Sequence, residues 1–206
     1  MKQNYQLILD KTIENIEKSD FVPTLLLHSC CAPCSSYCLE YLSNYFSITI
    51  LYFNPNIEDE EFERRYAEQI RLVNEMETKY KVSVIKGAHD TNMYYDLISG
   101  HEDDPEGGER CTICYRMRLE ETAKYAKENG FDYFTTTLSI SPLKDAERLN
   151  SIGKELSEIY GVKYLFSDFK KRNGYLRSIE LSKKYDLYRQ DYCGCVFSAK
   201  REDSNN

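Results

Sequence analysis

The chain has 206 residues, of which 41% are hydrophobic and 30% charged, with a formal net charge of −7. That length can bury a core of its own, which excludes the short secreted scaffolds that depend on disulfides. The acidic balance disfavours indiscriminate nucleic-acid binding and leaves room only for a local basic face.

The first twenty residues carry Lys2, Asp10, Lys11, Glu14, Glu17, Lys18 and Asp20, with no apolar stretch of signal-peptide length, and no later run approaches the ~18 apolar residues of a membrane span. These features predict a cytoplasmic protein. Residues 24–29 form a continuous apolar run and residues 47–53 a β-branched and aromatic one, so both read as strands. Between them, residues 35–45 suit a helix capped by Ser35 or Ser36. Residues 58–80 read as a long helix with Phe62, Tyr66, Ile70 and Val73 near helical spacing, and residues 81–86 alternate like a strand. The acidic stretch 101–109 reads as a mobile loop, either a lid or without a role. After Cys111 a helix places Tyr115, Leu119, Ala123 and Ala126 on one face and stops at Gly130. Residues 131–137 form a fourth strand, 144–160 a helix ending at Gly161, and 162–166 a fifth strand. This alternation predicts a parallel sheet sandwiched by helices, an α/β fold of Rossmann-like type. Residues 1–199 would form one domain with a small C-terminal extension, and 200–206 a disordered polar tail.

Eight cysteines fall into three tight groups: Cys30, Cys31, Cys34 and Cys38; Cys111 and Cys114; Cys193 and Cys195. Short spacings let two sulfurs of one turn reach one metal or cluster, and soft thiolates suit iron–sulfur centres. Structural zinc also takes four thiolates, but zinc ribbons place their pairs ~15–20 residues apart. Here the first two groups are about 80 residues apart, which calls for a site built by the whole fold. In open parallel sheets such sites collect beyond the carboxyl ends of the strands. Cys30 and Cys31 follow the first strand directly. Cys34 and the Cys111–Cys114 pair open helices, where the helix dipole favours a thiolate. Cys38, one turn inside its helix, reads as a small buried hydrophobe.

The segments Leu25-Leu-Leu-His-Ser-Cys-Cys-Ala-Pro-Cys34, Tyr52-Phe-Asn-Pro-Asn-Ile57, Glu109-Arg-Cys-Thr-Ile-Cys-Tyr115, Phe134-Thr-Thr-Thr-Leu138 with Ser141-Pro142, Asp168-Phe-Lys-Lys171, and Arg177-Ser-Ile-Glu-Leu-Ser182 through Leu187-Tyr-Arg-Gln-Asp-Tyr-Cys-Gly-Cys195 together resemble the cobalamin-independent epoxyqueuosine reductases, the QueH family. The resemblance implies a HUP-type α/β domain and a role in tRNA modification: two-electron deoxygenation of epoxyqueuosine at the wobble position to the cyclopentene of queuosine, fed by an electron donor. It implies a [4Fe–4S] cluster with a second, mononuclear iron site beside it. Carried over by motif, Cys111 and Cys114, with Cys34 and one of Cys30 and Cys31, would hold the cluster. The other member of the pair, taken as Cys31, would join Cys193 and Cys195 at the second metal or act with them as redox-active thiols. Some members of the family carry Asp at the position of Cys34, so here the cluster would have full cysteine ligation.

His28, Asp191 and Tyr192 border the cysteine groups as candidate proton donors, with Asp191 the one assigned a catalytic role and His28 read first as a hydrogen-bonded structural residue. Between Lys170 and Arg189 the cations exceed the anions by five, since Lys170, Lys171, Arg172, Arg177, Lys183, Lys184 and Arg189 stand against Glu180 and Asp186. Lys170, Lys171, Arg172 and Arg177 are the expected tRNA phosphate contacts, with Tyr175, Tyr185 and Tyr188 as stacking surfaces; the bland reading is a solvated helix face. Two other functions fit less well. A thiolating or adenylating enzyme of the same superfamily needs a Ser-Gly-Gly-x-Asp-Ser loop where this chain has Ser29-Cys-Cys-Ala-Pro-Cys34, and a zinc-stabilised RNA-binding module would need no redox metal.

Overall fold

A computed structural model describes residues 3–190 and 192–199. Five parallel strands build one sheet in the order β3-β2-β1-β4-β5, with β1 at Thr24–His28, β2 at Ser47–Tyr52, β3 at Val82–Lys86, β4 at Tyr133–Thr136 and β5 at Lys163–Tyr164. The chain runs outward from β1 to β3 and then crosses back to β4 on the other side of β1, so the topological switch point lies between β1 and β4. There His28 pairs in register with Leu51 on one side and Thr136 on the other.

The helices follow as α1 (Tyr5–Glu17), α2 (Ala32–Leu42), α3 (Asp59–Glu75), α4 (Thr91–Leu97), α5 (Glu109–Glu128), α6 (Ala146–Tyr160), α7 (Gly174–Lys184) and α8 (Val196–Ala199). β1 alternates its leucines between two cores. Leu25 and Leu27 pack with Leu9 and Ile13 of α1 and Leu39 and Leu42 of α2, while Leu26 packs with Leu119 and Ala123 of α5 and Leu149 of α6. Burial on both faces is why a central parallel strand reads as an unbroken apolar run. The expected Rossmann-like α/β sandwich is the observed fold. Among the described residues, no helix is long and apolar enough to cross a membrane.

Several boundaries differ from the sequence expectation. α2 starts at Ala32, capped by extended Cys31, because Pro33 is accommodated in a first turn whose N–H groups need no helical partner. Ser35 and Ser36 are therefore not caps: their hydroxyls donate to the Ala32 and Pro33 carbonyls. α3 ends at Glu75, where Met76 turns extended, and Tyr80 bonds the Ser43 carbonyl instead. The N-terminal segment, read above only for its charges, forms α1, whose Asn4 side chain accepts from the Gln6 and Leu7 amides. The acidic stretch is not free: Asp104 accepts from the Arg110 amide at 2.9 Å, Arg110 donates to the Glu102 carbonyl at 2.6 Å, and Arg148 donates to the Gly107 carbonyl at 2.7 Å. Residues 200–206, the expected tail, lie outside the described residues.

Candidate metal centre

The first thiol group is made by the turn out of β1. Ser29 donates to Gln69 at 2.9 Å and Asn54 donates to the Ser29 carbonyl at 2.9 Å, which pins the backbone just before the cysteines. The sulfurs of Cys30, Cys31 and Cys34 all lie within 4.8 Å of one another, and no other such trio exists among the described residues. Cys30 and Cys31 are 3.9 Å apart at their sulfurs. Hydrogen bonds from Cys30 and Cys34, helped by the charge of Arg65, hold the Cys31 thiol well below its ordinary range. Those same bonds push Cys34 the other way. Of the three sulfurs at this helix N-terminus, Cys31 is the one whose surroundings most favour the thiolate.

The second group joins two distant pieces of chain. Cys111 and Cys114, in the first turns of α5, line one small pocket with Cys193 and Cys195, closed in by Tyr94, Tyr115, Arg118 and Lys144. Arg118 donates to Cys114 Sγ at 3.1 Å, Lys144 Nζ to Cys193 Sγ at 3.1 Å, and the Tyr94 hydroxyl shares a 3.1 Å hydrogen bond with Cys195. Burial pushes the Cys114 thiol up to about 11. Cys111 and Cys114 are therefore gathered with Cys193 and Cys195 around one pocket, while Cys30, Cys31 and Cys34 form a trio of their own. Gly194 makes the Cys193–Cys195 turn possible. Its φ is +93°, and a Cβ there would sit 2.8 Å from the Arg65 guanidinium.

Four buried cations, Arg65, Arg110, Arg118 and Lys144, lie beside the thiols, and the sequence reading missed all of them as site residues. Arg65 and Arg118 are each 1% exposed and Lys144 8%. Arg65 pairs with Glu61 at 2.6 Å and reaches the Cys193 carbonyl at 3.4 Å. Burial opposes the charge of Lys144, but Cys193 and Tyr115 outweigh it and keep the ammonium protonated. A signal existed in the spacing: Arg65 and Gln69 sit on the buried α3 stripe with Phe62 and Leu72, and Arg118 lies one turn after Cys114 on the buried side of α5. A charge in the middle of an apolar stripe needs a buried partner.

The remaining candidates divide. His28 bonds Thr136 at 2.9 Å and the Phe53 carbonyl at 3.1 Å, and burial lowers it to about 4, so it is a neutral structural residue. Cys38 lies in the apolar core against the Cys34 carbonyl, and burial pushes its thiol up. Tyr192 lies under Arg65, whose guanidinium is 5.3 Å from the ring. Asp191 lies outside the described residues. Of the expected phosphate contacts, Lys170 pairs with Asp168 at 2.8 Å, Arg172 with Asp10 at 2.5 Å, and Arg177 with Glu40 at 2.7 Å, while Lys171 is exposed.

An open crevice of about 670 Å³ leads from the surface to Cys30, Cys34 and Cys193. Its walls include Pro142, Leu143, Tyr175, Arg189 and Tyr192. Beside the thiols, Arg65 Nη2, Gln69 Nε2 and the Nε and Nη1 of Arg118 are buried without a partner. Buried donors left over next to soft sulfur ligands fit an anionic, sulfur-rich group such as an iron–sulfur cluster.

Comparison with known proteins gives the family. The family described as Epoxyqueuosine reductase QueH matches residues 25–201. Proteins of that name from Staphylococcus epidermidis, Streptococcus pyogenes serotype M1 and Thermotoga maritima are 45%, 43% and 36% identical to the chain. The alignments cover 98%, 98% and 85% of this chain and 87%, 80% and 90% of those proteins. A family match running through all three cysteine groups, with relatives this similar over most of their own length, makes the chain a member of the epoxyqueuosine reductase QueH family.

Proposed function

We propose that this protein reduces epoxyqueuosine in tRNA to queuosine, removing the epoxide oxygen as water with the uptake of two electrons and two protons, by means of a thiolate-held [4Fe–4S] cluster and an adjacent iron site. The observation that carries the reading is the gathering of seven thiols from three parts of the chain, Cys30, Cys31 and Cys34 in one trio and Cys111, Cys114, Cys193 and Cys195 around one pocket, with Cys193 also lining the open crevice that reaches Cys30 and Cys34. When bound, the cluster supplies electrons singly and the open iron acts as a Lewis acid toward an oxygen.

Arg118 supports giving Cys30 to the cluster with Cys111, Cys114 and Cys34, since its charge acts on both Cys30 and Cys114. Arg65 supports grouping Cys31 with Cys193 and Cys195 at the second site, since it acts on Cys31 and bonds the Cys193 carbonyl. The pocket shared by Cys111, Cys114, Cys193 and Cys195 favours a second reading, in which those four form the cluster's ligand set. The chain's own residues would do the rest. Lys144 borders both the crevice and the thiol pocket, so its ammonium is placed to donate to an oxygen that gains negative charge. Tyr175 and Arg189, whose guanidinium is 5.8 Å from the Tyr175 ring, offer a stacking wall for an unstacked nucleotide. Lys171 and Arg189 are exposed cations with no carboxylate partner among the described residues, and Lys170, Arg172 and Arg177 would have to leave carboxylates to meet phosphate.

Anaerobically purified protein, given a chemical reductant and tRNA carrying epoxyqueuosine, is expected to form queuosine. Fully iron-loaded protein that leaves the epoxide intact sinks the proposal. A colourless zinc protein that binds the tRNA unchanged would support the RNA-binding module instead.

A further inference from the structure

Arg118 differs from the other buried cations: Arg65 and Lys144 pair with carboxylates, and Arg110 donates to the His101 and Glu102 carbonyls. Arg118 is 1% exposed, yet no carboxylate among the described residues forms an ion pair with it, whereas Arg65, equally buried, has Glu61. A guanidinium stripped of water and left without an anion costs several kcal/mol, so the molecule must supply negative charge from somewhere else. The groups that act most strongly in its favour are thiols alone: Cys114 first, then Cys193 and Cys30. Those three come from all three cysteine groups. One nitrogen, Nη2, donates to Cys114 Sγ at 3.1 Å, and the other two, Nε and Nη1, are buried with nothing to bond. Packing does not require such an arrangement, because a methionine or leucine would fill the volume without two orphaned donors.

We propose that Arg118 is a positioning residue common to both thiol groups: it orients Cys114, aims its two unused N–H groups at the anionic centre that the thiols hold, and thereby sets that centre's reduction potential. This rests on the reading of the site as a redox metal centre. A fixed positive charge with N–H···S bonds stabilises the more negative, reduced state, so its removal makes reduction harder. Lysine would keep the charge and lose the planar fork.

The test is a redox titration of anaerobically purified Arg118→Gln and Arg118→Lys proteins beside the wild type, followed by visible absorbance, with iron per chain measured on the same samples. The expected result is a midpoint potential shifted to more negative values in Arg118→Gln, a smaller shift in the same direction in Arg118→Lys, and iron retained in both. Wild-type potential in Arg118→Gln overturns the inference, and so does a shift in Arg118→Lys as large as in Arg118→Gln, which would mark a packing effect. If Arg118→Gln does not fold, Arg118→Lys decides by itself, and an unshifted potential there is the overturning result. Wild-type protein without an iron–sulfur chromophore overturns the metal reading as well, which separates the two failures.

Discussion

Arg65, Arg118 and Lys144 lie buried among thiols at the carboxyl end of the sheet, whereas Lys170, Arg172 and Arg177 lie nearer the surface and answer to Asp168, Asp10 and Glu40. The second set stands out in the sequence as a run of positive charge, and the first is scattered over about 80 positions. Yet the scattered set is the one that lies beside the thiols. Surface pairs of the kind made by the basic segment contribute ~0–1 kcal/mol and can exchange partners, while a desolvated cation is fixed in place by whatever anion it neutralises. Charge density along a chain therefore says less about a functional site than the identity of each charge's partner.

The largest expected effect breaks the thiol side of this contrast. Replacing Cys111 or Cys114 by Ala should remove cluster absorbance and activity together, because a missing thiolate exposes a cluster corner; full iron content with normal turnover in either variant would remove them from the ligand set. Next comes the double change Cys193→Ser with Cys195→Ser. If these thiols serve the second site, the variant keeps a spectroscopically normal cluster and loses epoxide reduction. Loss of the cluster itself would favour the four-thiol set around the shared pocket, and intact turnover would make the turn purely structural.

Lys144→Met sharpens the cation side, and a fall in kcat of about 100-fold or more is expected, the size typical of losing one donor to a developing anion. Iron content and tRNA affinity should stay at wild-type values, and an unchanged kcat would leave Lys144 as a counter-charge for Cys193 alone. The smallest effect belongs to the surface set. Lys170→Glu, Lys171→Glu and Arg172→Glu combined should weaken tRNA binding and flatten its salt dependence, by a slope change of ~1 for each phosphate that is no longer neutralised. Because Lys170 and Arg172 already have carboxylate partners, Lys171→Glu should account for most of the change. Unchanged affinity and slope would make the segment a solvated face.

Residues whose neighbours along the chain dictate their state could be read without coordinates. The central strand β1 was visible because burial on both faces demands an unbroken apolar run, the edge strand β3 because it alternates, and Gly161 marked the end of α6 because it takes the left-handed region that closes that turn. Local signals failed where two local rules competed. Pro33 suits a first helical turn as well as Ser35 suits a cap, and only the packing of α2 places the start at Ala32. α1 was hidden for another reason: its charges drew attention away from Leu9 and Ile13, which recur one turn apart and bury one face.

The sequence by itself determined the fold class and the family and singled out the cysteines as candidates, since spacing, motif and apolar periodicity are properties of a chain. The tertiary structure decided which cysteines share a pocket, that Cys38 and His28 are held in the core, and that Arg65, Arg118 and Lys144 lie buried beside the thiols. Those facts depend on which side chains meet across the switch point between β1 and β4. Contacts over such separations are set by the packing of whole helices on a sheet, and no window of sequence contains both partners.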